Sequence, residues 1–72
     1  MFNIQFKLDG VEAGEARSAV VPRIDEDVII EHNLRGVSRG KVIAVHYRYT
    51  DTGIRRVDVY SLGSVVVYLE SL

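Results

Sequence analysis

The chain contains no cysteine. That excludes disulfides, thiolate metal sites and thiol nucleophiles together. It fits a reducing compartment without demanding one. Tryptophan is absent as well, and Pro22 is the only proline. No apolar run approaches the roughly 18 residues of a membrane helix. The amino end, Met1-Phe2-Asn3-Ile4-Gln5-Phe6-Lys7, alternates apolar and polar residues. A secretory signal would place a basic stretch before an apolar one. A cytoplasmic protein is therefore expected. Excess charge of one sign is also missing: the net charge is −1 and the pI about 6.0. That balance lies far from the basic character of a nucleic-acid domain.

What is present is a chain of 72 residues, 47% apolar and 26% charged. One domain over residues 1–72 is expected, with no repeat, linker or low-complexity stretch. A chain this short buries only roughly 60% of its unfolded surface, so its core gives a thin margin of stability. Small scaffolds usually add disulfides, a metal or a second subunit. Without cysteine or a diagnostic ligand pattern, self-association becomes the expected support, with a homodimer first. Charge is uneven along the chain. Residues 1–31 carry three basic and seven acidic side chains, net −4, and residues 32–72 carry six and three, net +3.

The periodicity predicts short strands. Phe2, Ile4, Phe6 and Leu8 alternate with polar residues, and Asp9-Gly10 ends that strand with turn chemistry. Residues 11–18 suit a helical turn, a loop or an irregular edge strand. Ala19-Val20-Val21-Pro22 reads as extended and peripheral, because proline donates no ladder hydrogen bond. Asp25-Glu26-Asp27 is a polar turn, and Val28-Ile29-Ile30-Glu31 a β-branched strand. His32 to Gly40 reads as a loop with Leu34 and Val37 anchored in the core.

Two β-rich runs, 41–50 and 54–62, flank Asp51-Thr52-Gly53, a three-residue hairpin connection with glycine at the left-handed position. That loop pairs Thr50 with Ile54. One face then stacks Tyr49 on Arg55, Tyr47 on Val57, Val45 on Val59 and Ile43 on Ser61. The other stacks Arg48 on Arg56, His46 on Asp58, Ala44 on Tyr60 and Val42 on Leu62. A slip by one residue mixes charge into the apolar face. Leu62-Gly63-Ser64 turns the chain, and Val65-Val66-Val67-Tyr68-Leu69 is a last strand.

Five to six short strands and little helix imply an all-β fold, a small barrel or a strongly twisted antiparallel sheet. From Pro22 to Leu69 the chain resembles SH3-like small barrels. The carrying residues are Pro22-Arg23-Ile24-Asp25-Glu26-Asp27-Val28-Ile29-Ile30, Gly40-Lys41-Val42-Ile43-Ala44-Val45 and Val57-Asp58-Val59-Tyr60. Asp25-Glu26-Asp27 stands where such barrels usually have a glycine-containing turn. The resemblance implies a fold and leaves function open, since such barrels bind peptides, nucleic acids and other subunits.

Catalytic signals are weak. No serine lies in a nucleophile elbow, and His46 already has a cross-strand partner in Asp58. Glu31-His32 with Asp25 or Asp27 lacks metal-ligand spacing, and Gly36-Val37-Ser38-Arg39-Gly40-Lys41 lacks that of a phosphate loop. No catalytic residue, metal or cofactor is expected. Two surface features remain. Arg48 and Arg56 face each other across the hairpin, with Arg55 and Tyr49 at its tip, a candidate anion or nucleic-acid surface. Arg35, Arg39 and Lys41 in the preceding loop extend it. The plainer reading is an ordinary solvated hairpin. Val42, Ala44, Tyr60 and Leu62 form an apolar outer face, with Ile29, Val66 and Tyr68 on the same non-core parity. Such a face needs a cover, supplied by the chain itself or by a second subunit. The leading expectation is a non-enzymatic interaction module that self-associates through Val42, Ala44, Tyr60, Leu62, Val66 and Tyr68.

Overall fold

A computed structural model describes residues 1–34, 36–53 and 60–72. Five strands form one sheet: β1 (Phe2–Leu8), β2 (Val11–Ser18), β3 (Asp27–His32), β4 (Gly36–Asp51) and β5 (Tyr60–Ser71). No helix occurs among the described residues. The order across the sheet is β2-β1-β5-β4-β3, and the sheet curls into a nearly closed barrel. Three pairings are antiparallel, and β1 runs parallel to β5.

The centre is β5. Val65, Val66, Val67 and Leu69 are all buried, so this strand is apolar on both faces, as a central strand flanked on both sides should be. Ile4, Phe6 and Leu8 of β1 lie beside Val65, Val67 and Leu69. Ile4, Phe6, Val42, Val65, Val67 and Leu69 make the core, and Phe2, Leu8, Val21, Val28, Ile30 and Val45 pack against it. Asp9 and Gly10 form the two-residue hairpin between β1 and β2, with φ of 49° and 81°. Two successive positive φ values are what a type I′ turn requires. The Asp9 N–H donates to the Leu69 carbonyl at 2.9 Å, and the Ser71 N–H donates to Asp9 Oδ1 at 3.1 Å, which ties this turn to the end of β5.

Residues 11–18 are an edge strand. Residues 36–40, expected in a loop, open β4 instead, and Leu34 and Val37 are solvent-exposed, not anchored in the core. The expected hairpin register is also replaced. Thr50 pairs with Ser61, His46 with Val66, Val45 with Val67, Ala44 with Tyr68 and Val42 with Leu69. The physical cause is burial: only this pairing places Val65, Val67 and Leu69 between two strands. A tight local hairpin would leave that run with one neighbour fewer. Leu62-Gly63-Ser64 is accordingly no turn. β5 passes straight through, with Gly63 as an extra residue between the pairs Arg48–Ser64 and Tyr49–Leu62. Ile43 is the matching extra residue on β4, between Val42 and Ala44. This bulge switches which alternate side chains face inward: Val42 before it and Val45 after it both meet the core.

Candidate functional site: an open slot and a projecting ribbon

Two features follow from this topology. The first comes from the length of β4 and β5. β3 accompanies β4 only along residues 36–41, and β1 accompanies β5 only along residues 65–69. Beyond them residues 48–51 of β4 and 60–64 of β5 run on as a two-stranded ribbon ending at the Asp51–Tyr60 pair. Alternation of side chains fixes its faces. The face continuous with the core carries Tyr47 beside Val65, Tyr49 beside Leu62 and Tyr60 beside Asp51. Tyr49 is 61%, Tyr60 57%, Tyr47 49% and Leu62 37% exposed. The opposite face carries His46, Arg48 and Thr50.

The second feature is a gap in the barrel wall. β2 and β3 are the two sheet edges, and no backbone hydrogen bond joins them among the described residues. They approach at one end, where a Cβ on Gly14 would lie 3.9 Å from Ile30 Cγ2. Towards the other end they part around an open-sided cavity of about 1190 Å³. Its floor includes Phe2, Ile4, Phe6, Val28 and Val45. The cause is local sequence. Gly14, Ala16 and Ser18 stand opposite Phe6, Ile4 and Phe2, so along residues 14–18 β2 turns only small residues inward. They cannot fill the space that Val28 and Ile30 leave on the other side.

The six residues expected to form one outer apolar face are dispersed. Val42 is completely buried in the core, because the Ile43 bulge reverses the parity on which that expectation rested. Val66 is only 4% exposed, flanked by Gln5 and His46. Ala44 and Tyr68 are half-buried neighbours on the same side. The Tyr68 ring is packed by His46 at 4.8 Å between centroids, with Lys7 Nζ 5.9 Å from its own centroid. Long polar side chains of the flanking strands thus shield this face from within the chain. Tyr60 and Leu62 lie on the ribbon's other face, together with Tyr47 and Tyr49.

The cationic set is divided too. Arg48 stands opposite Ser64 and Tyr49 opposite Leu62, so the two side chains point to opposite faces of the ribbon. Arg55, Arg56 and the expected His46–Asp58 pairing involve positions outside the described residues, as does Arg35; His46 itself pairs with Val66. Elsewhere, His32 Nε2 lies 2.8 Å from Ser38 Oγ, and Arg39 meets Asp27 at 3.4 Å. Among the described residues no three His, Asp or Glu side chains cluster as a metal site would need. Among the described residues no helix is long and apolar enough to cross a membrane.

The exposed tyrosines of the ribbon were legible as individual residues, but their shared face was not, because it depends on the Gly63 bulge. The slot could have been suspected from one signal only, the run of small residues at alternate positions in β2. Compared with known proteins, the chain matches no family model, no curated protein and no solved structure.

Proposed function

We propose that this chain is a non-enzymatic interaction module on an SH3-like small barrel, and that it self-associates through the core-side face of the ribbon. The observation that carries this reading is the exposed set Tyr49, Tyr60 and Leu62 on a ribbon with no third strand among the described residues, continued by Tyr47 at its base. An isolated two-stranded ribbon is marginal in water. Aromatic side chains combine a large apolar area with a polar tip, which suits an interface exposed in the free chain. A twofold pairing would set the same patch of each copy against the other, so that one short stripe covers both.

Light scattering after size exclusion, over a hundredfold dilution, tests it. The parent chain runs as a dimer at the concentrated end, and Leu62→Asp shifts it to the monomer with an unchanged circular dichroism spectrum. A parent that is monomeric throughout, or a folded Leu62→Asp variant that keeps the parent mass, overturns the reading.

A further inference from the structure

The slot between β2 and β3 meets the apolar stripe of the ribbon at Tyr47, which lines the cavity, whereas Tyr49, Tyr60 and Leu62 of the ribbon tip lie outside it. We infer that the slot is an acceptor for one extended segment of a partner protein, with apolar side chains at alternate positions and lysine or arginine between them. Three observations specify that chemistry. First, Glu15–Ser18 and Asp27–Glu31 present two antiparallel edges whose facing backbone groups are not joined to each other among the described residues, so an added strand finds donors and acceptors to pair with. Second, the inward positions Gly14, Ala16 and Ser18 leave the cavity unfilled above Phe2, Ile4 and Val28. Every second side chain of an added strand points into that space and fills it with apolar volume. Third, the outward positions flanking the slot are Glu15 and Arg17 on β2 and Asp27, Ile29 and Glu31 on β3. Arg23 and Glu26 of the connecting segment line the slot as well, so four carboxylates face two guanidinium groups and the rim is acidic; the outward side chains of the added strand are therefore basic.

The geometry also sets the limits of the site. The approach of Gly14 to Ile30 closes one end. Residues Val20 to Ile24 cross the other, which leaves room for a short strand. Asp27 is partly engaged by Arg39, whereas among the described residues Glu31 has no ion-pair partner and Glu15 is met only by the Gln5 amide at 3.4 Å. Glu15 and Glu31 therefore carry most of the recognition.

The test uses a short synthetic peptide of alternating valine and lysine, a valine–glutamate counterpart, and a valine–lysine peptide with proline at two central positions. Each is titrated into the full chain and into Leu62→Asp, so that failure of the ribbon interface and failure of the slot are separable. The valine–lysine peptide binds both proteins and slows amide exchange in residues 15–18 and 27–31. The valine–glutamate and proline-bearing peptides bind roughly tenfold or more weakly. The double variant Glu15→Lys, Glu31→Lys loses the preference for lysine over glutamate while keeping its fold. Equal binding of the proline-bearing peptide, or binding without amide protection in both edges, overturns the inference. So does amide protection of both edges in the free protein that rises with concentration, which would make a second copy the occupant.

Discussion

At the scale of single residues, two positions carry backbone constraints that no neighbouring side chain can relieve. Gly40 lies where β4 crosses the end of β5. A Cβ there would stand 2.9 Å from the Glu70 carbonyl oxygen, from Leu69 Cβ and from Leu8 Cδ1. A backbone oxygen cannot rotate away, so Gly40→Ala is expected to destabilise by about 1–3 kcal/mol, read from the urea midpoint. Asp25 has φ of 73° within the turn closed by the Glu26 N–H and the Arg23 carbonyl. It takes the left-handed position that glycine usually supplies in such a turn, which explains how the turn forms without one. Asp25→Gly should then leave stability unchanged or raised, while Asp25→Val costs about 1–3 kcal/mol, because a β-branched residue resists that conformation. Loss of stability in Asp25→Gly comparable to that in Asp25→Val would show that the carboxylate matters more than the backbone.

Asp9 adds a pH-dependent link. Hydrogen bonds from Ser71, first its side chain and then its backbone N–H, hold the Asp9 carboxyl below its ordinary value of 3.8. The native state therefore binds this proton less readily than the unfolded chain. The contribution is fully present above the unfolded value and is lost as pH falls through the lowered folded one. Asp9→Asn preserves the left-handed turn, since asparagine tolerates positive φ, and removes only the charge. The gap in thermal midpoint between parent and variant should shrink as pH falls from about 5 to about 2. A gap independent of pH would mean that the Ser71 contact is not charge-assisted.

At the scale of elements, what could be read in the sequence was what is decided locally. The alternation of Phe2, Ile4, Phe6 and Leu8 gave β1, Asp9-Gly10 gave its turn, the β-branched residues 28–30 gave β3, and the run 65–69 gave the buried strand. The all-β barrel followed from these. The pairing of β4 was not legible, because Thr50 has a plausible local partner in Ile54 and a distant one in Ser61, and burial of β5 decides between them. Nor do bulges announce themselves in a pattern of alternation: Ile43 reads as a core residue and Val42 as a surface one. Their exposures, 51% and 0%, are the reverse. Ile43→Thr should therefore change stability by no more than about 0.5 kcal/mol, and Val42→Ala should cost about 1.5–3 kcal/mol. The opposite ranking would place the bulge elsewhere. The candidate site suffered the same fate as the register. Arg48 and Tyr49 lie adjacent in sequence, and adjacency in a strand puts them on opposite faces.

For the whole molecule the decisive quantity is shape. The radius of gyration is 14.2 Å, whereas a compact chain of this length has roughly 11 Å. The longest dimension, 48 Å, is about twice either of the others, at 25 and 22 Å. A small chain that spends its length on a projecting ribbon forgoes core volume that it can hardly spare. A second copy laid along that ribbon would restore the missing burial and couple folding to association. For a folded dimer in equilibrium with unfolded monomers, each tenfold rise in concentration adds about 1.4 kcal/mol per dimer to stability, or roughly 3–5 °C in thermal midpoint for a chain of this size. The parent should show that slope in a series of thermal scans. Leu62→Asp should show none, with its midpoint at or below that of the most dilute parent sample. A parent midpoint that does not move with concentration would mean that the barrel holds itself together as a monomer, with the ribbon's tyrosines left free for a different protein.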